Sequence, residues 1–105
     1  MNDEEVLDRL RTICLALPEA TEGTQFGNPV WRTGKKVFAQ CSAWRGETVK
    51  ASFWVGVDRQ GLMTLDPRFT IPPYLGAGGW IALDVAQAID VDELRALALE
   101  SFRHY

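Results

Sequence analysis

The chain has 105 residues, 47% of them apolar and 24% charged, with a net charge of −3 at neutral pH. This length supports one hydrophobic core and one domain, residues 1–105, and the composition is that of an ordinary globular protein. No apolar run approaches the roughly 20 residues of a membrane span, and the acidic balance argues against obligate nucleic-acid binding.

The chain opens on an acidic helical pattern, with no secretory or transit signal expected. Asn2 is placed as the N-cap with Glu5 at the capping-box position, and Asp3, Glu4 and Glu5 suit the positive end of the helix dipole. Val6, Leu7, Leu10, Ile13, Cys14 and Leu17 recur at helical spacing, and Pro18 ends the helix. Gly27-Asn28-Pro29 marks a turn after Phe26. Val30-Trp31-Arg32 and Lys36 through Cys41 flank Thr33-Gly34-Lys35, which predicts a hairpin.

Trp44 through Thr48 is the next connection, leading into a strand over Val49 to Val55. Val49, Ala51, Phe53 and Val55 fall on one face of it, and Lys50, Ser52 and Trp54 on the other, the alternation of an antiparallel sheet covered on one side. Asp58 or Arg59 through Leu65 is expected as a short helix with Leu62, Met63 and Leu65 inward. The run Ile71 to Trp80 holds two prolines, three glycines and two aromatics and no charge, which predicts a fixed, partly buried corner. Trp80 through Asp84 is a further strand. Asp90 caps a last helix with Glu93 at the box position, and Val91, Leu94, Leu97, Ala98, Phe102 and Tyr105 supply its apolar stripe. The expected fold class is α+β, a two-layer sandwich with the N- and C-terminal helices on one face of an antiparallel sheet.

Charge is distributed unevenly. Residues 1–31 carry six acids against two bases, residues 32–68 seven bases against three acids, and residues 69–105 five acids against two bases. The positive middle is a statement about what the surface attracts. Cys14 and Cys41 lie apart in apolar-patterned segments and fit reduced thiols in a cytoplasmic core.

Several of these segments together resemble the MmcQ/YjbR-like family of small bacterial proteins: Leu17-Pro18 closing the first helix; Phe26-Gly27-Asn28-Pro29; Val30 through Ala39; Pro73-Tyr74-Leu75-Gly76 with Gly79-Trp80; Asp92-Glu93-Leu94; and Glu100-Ser101-Phe102. Phe102 stands where tyrosine is usual, and Tyr105 stops the final helix short of the usual tail. The resemblance implies a fold similar to type III secretion chaperones and a DNA-binding mode in which strand-linked loops act as wings. It implies no catalytic residues.

The residues themselves give no catalytic constellation. His104, the one histidine, is expected to be a solvated residue at a helix end, and neither cysteine has an activating neighbour in sequence. No metal-ligand spacing occurs. Gly76-Ala77-Gly78-Gly79 enters a strand, whereas a nucleotide loop opens a helix, so no cofactor is expected. The constellation with functional content is basic and edged by aromatics: Arg32, Lys35 and Lys36 around the first hairpin, Trp44 and Arg45 in the next connection, and Lys50 beside Trp54. Such residues neutralise phosphates and stack on bases, though a solvated sheet edge guarded by charge has the same composition. The expected function is a monomeric, non-enzymatic binding protein with weak, largely nonspecific affinity for DNA. The alternatives are a chaperone-like module for a protein partner, and a small-ligand pocket lined by Trp31, Trp54 and Trp80 against Phe26 and Tyr74.

Overall fold

A computed structural model of the chain describes residues 3–25, 27–42, 50–72, 78–84 and 90–105. The elements run α1 (Asp3–Leu15), β1 (Ala20–Gln25), β2 (Asn28–Thr33), β3 (Lys36–Ser42), β4 (Lys50–Trp54), α2 (Val57–Met63), β5 (Phe69–Thr70), β6 (Trp80–Asp84) and α3 (Val91–His104). The strands form one sheet of order β1-β2-β3-β4-β6-β5, antiparallel at every pairing. The fold is therefore the α+β sandwich expected from the sequence.

The apolar stripes of the two long helices meet the sheet in one core. Val6, Leu10, Ile13 and Cys14 of α1 and Leu94, Leu97 and Ala98 of α3 cluster with Trp31, Phe38, Ala39, Cys41, Ala51, Phe53, Ile81 and Leu83. Helical periodicity places the first set on single faces, and strand alternation places most of the second. Phe38 and Ala39 are consecutive yet share the core, because the β2–β3 register shifts between Trp31 and Arg32 and leaves Phe38 as the bulged residue. At the head of α3, Asp90 accepts from the N–H groups of Asp92 and Glu93 at 2.9 and 3.4 Å, as expected of its cap. The Glu93 carboxylate pairs with Arg68.

Several expectations are corrected. β1 was not anticipated: Ala-Thr-Glu-Gly-Thr-Gln carries no apolar alternation, yet all six residues pair with β2. The strand that follows already begins at Asn28, so Pro29 is a strand residue beside an edge, not part of the turn. α1 stops at Leu15, before Pro18 acts on it. The short helix ends at Met63 and not Leu65; Leu62 within it and Leu65 beyond it face solvent, at 72% and 80% exposure, and Gln60 is buried instead, whose side-chain N–H donates to the Trp80 carbonyl at 2.6 Å. Tyr105 is 42% exposed and lies beyond the buried stripe. β5, only two residues long, also went unread. The cap at Asn2, the Trp44–Thr48 connection, Val49 and the corner residues 73–77 lie outside the described residues.

Candidate nucleic-acid interface

The β2–β3 hairpin positions three of the basic residues. Thr33 pairs with Lys36, leaving Gly34 and Lys35 as a two-residue turn, and Gly34 sits at φ +62° in the first turn position, as a type II′ hairpin turn requires. Lys35 and Lys36 are exposed, and Arg32 is half-buried. The Arg32 guanidinium lies across the neighbouring strand at Gly23: a Cβ there would collide with its terminal nitrogen. The missing side chain at position 23 thus creates the trough in which Arg32 lies.

Ion pairing separates these cations from most of the other bases. Arg11 pairs with Asp8 and Glu22, Arg59 with Glu100, Arg68 with Asp66 and Glu93, and Arg95 with Asp92. Among the described residues, no carboxylate pairs with Arg32, Lys35, Lys36 or Lys50. Two bases of the positive middle segment, Arg59 and Arg68, are thereby neutralised by acids of α3. The hydrogen bonds of Asp66 and then Glu93 raise the Arg68 pKa above its ordinary value, and Arg68 in turn lowers that of Asp66.

The remaining sequence candidates are dispersed. Lys50 pairs in register with Ser42 and Asp84, six residues along β3 from Lys36, which is roughly 20 Å at strand rise. It therefore stands at the opposite end of the sheet from the hairpin turn. Trp44 and Arg45 lie outside the described residues. The sequence reading missed Arg103 and His104, which the last turn of α3 brings toward the hairpin end. Ser101 Oγ donates to the Phe38 carbonyl at 2.6 Å, and the Phe102 ring meets Phe38 edge-on at 5.4 Å. Their only sequence signal was a basic pair closing a helix.

The tryptophans occupy different positions on the sheet. Trp31 is fully buried against the helices, with its indole N–H donating to Glu22 Oε1 at 3.0 Å. Trp54 and Trp80 face each other across β4 and β6, one residue out of step with Phe53 and Ile81 of the core row that holds Trp31. Among the described residues, their ring contacts are with the end of α3 and not with Trp31. Phe26 and Tyr74 lie outside the described residues. Trp54 stacks on His104 with ring centroids 3.5 Å apart and planes 5° from parallel, and the Trp80 N–H donates to the Tyr105 hydroxyl at 3.1 Å. A groove of about 440 Å³ runs between α2, β5 and α3, lined by residues that include Leu62, Met63, Phe69 and Leu97. Among the described residues, no group of three or more His, Cys, Asp or Glu side chains is arranged to hold a metal ion, and no helix is long and apolar enough to cross a membrane.

Two solved structures share this architecture. Deinococcus radiodurans protein DR2400, which carries the DUF419 domain, superposes with a TM-score of 0.76 at 20% identity, over 91% of this chain and 75% of its own. A Pseudomonas syringae protein superposes with a TM-score of 0.74 at 14% identity, over 99% of this chain and 98% of its own. At these identities the likeness concerns the fold. No curated protein matches the sequence. The YjbR family model matches residues 15–104, which takes in every strand and both later helices. The chain belongs to the YjbR family.

Proposed function

We propose that this protein is a non-enzymatic, monomeric, cytoplasmic binding protein that engages the phosphate backbone of DNA through the β2–β3 hairpin. The observation that carries the reading is the clustering of cations: four arginines are tied to carboxylates, while Lys35 and Lys36 project from one hairpin with Arg32 lying along it, and none of the three has a carboxylate partner among the described residues. Unpaired cations on a protruding turn are placed to neutralise phosphates and release counterions. The carboxylates whose pKa values are clearly shifted, Glu22 and Asp66, are both occupied in ion pairs, which favours binding over catalysis.

Three phosphate contacts give modest affinity, and the logarithm of the binding constant falls by about 0.9 per contact for each tenfold rise in salt. Titration of a labelled duplex at low salt tests this. Wild-type protein binds in the micromolar range or weaker, and Lys35→Glu/Lys36→Glu loses most of that affinity. Equal binding by the two proteins, or none by the wild type at about 100 µM (the weak end of nonspecific affinity), rejects the reading.

A protein-partner reading draws on a different surface. Val57, Leu62, Leu65 and Ile71 are 60%, 72%, 80% and 52% exposed within fifteen residues of chain, and Leu62 lines the α2–α3 groove. Exposed large apolar residues, where they are contiguous, mark association surfaces. Binding of a hydrophobic fluorescent dye that Leu62→Lys/Leu65→Lys abolishes supports an accessible patch, and absence of dye binding removes this reading.

A further inference from the structure

The Trp54–His104 stack stands at the hairpin end of the sheet. β4 pairs with β3 through Ala39 and Phe53, so Trp54 lies alongside the start of β3, one strand from the base of the hairpin that carries Lys35 and Lys36 and two strand spacings, roughly 10 Å, from the backbone of Arg32, whose guanidinium lies over Gly23 on the far side. The indole is fixed from behind. Its backbone N–H donates to Ser101 Oγ at 3.1 Å, and the ring lies against Gly56 and Gly79, both at positive φ. A Cβ at Gly79 would come within 3.0 Å of Trp54 Nε1, so these glycines leave room for the ring and hold it in one plane.

The partner on the stacked side is held differently. His104 is exposed and occupies the last residue of α3. The closing backbone bond of that turn, from Tyr105 N–H to the Ser101 carbonyl, is long at 3.4 Å, and terminal turns of helices open at little cost. A rigid indole faces a parallel, exposed ring on the last residue of α3, next to Tyr105, whose hydroxyl is held by the Trp80 N–H, and beside cations that no described carboxylate neutralises.

We propose that Trp54 is a stacking platform for one base of a single-stranded nucleic acid, and that His104 occupies the place the base takes. The proposal rests on the hairpin reading for its phosphate contacts and adds the recognition of a base. A single strand is the ligand of this chemistry because its base faces are free, whereas in a duplex they are covered by their neighbours. Stacking on an aromatic side chain tolerates any base. On binding, the exposed His104 side chain rotates off the indole while Tyr105 keeps its bond to Trp80, the base lies on Trp54, and the adjoining phosphates meet Lys35 and Lys36.

The test compares a labelled oligothymidylate of about twelve nucleotides, within the usual site size, with an abasic strand of equal length and charge. Wild-type protein binds the base-bearing strand on the order of tenfold more tightly. Trp54→Leu, checked for folding by circular dichroism, brings that strand down to the abasic level. His104→Ala, which alters an exposed residue, tightens the base-bearing strand a few-fold because nothing has to be displaced. Lys35→Glu/Lys36→Glu weakens both strands. Equal binding of the two strands by the wild type overturns the stacking proposal while leaving the hairpin reading intact. A His104→Ala protein with unchanged or weaker preference for the base-bearing strand overturns the displacement. Binding of neither strand nor of duplex overturns both readings.

Discussion

The indole N–H of Trp31 donates to Glu22 Oε1 at 3.0 Å, so a carboxylate on an edge strand satisfies a ring with no solvent exposure. The same carboxylate accepts from Arg11 Nε at 2.7 Å and from Arg11 Nη2 at 3.1 Å. One side chain of β1 therefore joins α1 to the core of β2. Hydrogen bonding from Arg11 outweighs partial burial and, with the bond from Trp31, holds the Glu22 carboxyl below its ordinary value of about 4.5.

Glu22→Leu destabilises the fold by about 1–3 kcal/mol, because the Trp31 N–H is left buried without an acceptor. Glu22→Gln recovers part of this, since an amide oxygen can still accept. Urea denaturation at neutral pH measures both. The pH dependence has the sign of a depressed carboxyl: its contribution is complete above about pH 4.5, the ordinary value, and is lost as the pH falls through the lower folded-state value. Glu22→Gln flattens that acid limb, and a limb unchanged by the substitution would refute the pairing.

Ser101 is fully buried and ties two strands to α3. Its hydroxyl donates to the carbonyl of the bulged Phe38 and accepts the N–H of Trp54. Ser101→Ala leaves both groups without this partner and costs roughly 2–3 kcal/mol. Amide exchange at Trp54 speeds up by more than the global loss of stability accounts for. Protection at Trp54 equal to that of the other β4 amides in the variant would show that the hydroxyl is dispensable.

Two glycines give opposite outcomes for the same substitution. Gly79 sits at φ +96°, and a Cβ there meets Gly56 Cα at 2.9 Å and Val57 N at 3.1 Å, so Gly79→Ala falls toward the upper end of the roughly 1–3 kcal/mol cost of strained backbone. Gly61 lies within α2 with nothing within 4 Å of an added Cβ, so Gly61→Ala stabilises by about 0.5–1 kcal/mol. Thermal melts of the two variants shift in opposite directions, and a shared sign would contradict the geometry.

Cys14 has no solvent exposure, and burial, the largest cause, pushes its thiol up to about 12. The thiolate needed for alkylation is therefore absent at pH 8 in the native state. Iodoacetamide modifies Cys14 only as the chain opens, at a rate that climbs with urea. Rapid, denaturant-independent labelling would place the thiol outside the core.

The sequence by itself determined the two long helices, the strands with strong apolar content, the cap at Asp90, the Gly34 turn and hence the α+β class. Each rests on a pattern within a few consecutive residues: a 3.6-residue stripe, a two-residue alternation, or a glycine between strands. The hairpin cations were legible for the same reason, being neighbours along the chain. β1 was not, because an edge strand paired on one side needs little apolar content, and its role appears only when Glu22 meets Arg11 and Trp31. Leu62 and Leu65 misled because apolar identity alone fixes neither which way a seven-residue helix turns nor that it stops at Met63, before Leu65. Tertiary structure alone decided that Arg59 and Arg68 are neutralised by acids of α3, that Lys50 stands at the far end of the sheet from Lys36, and that His104 lies on Trp54. Ion pairing and ring stacking depend on where the chain returns in space, and no local period encodes that return.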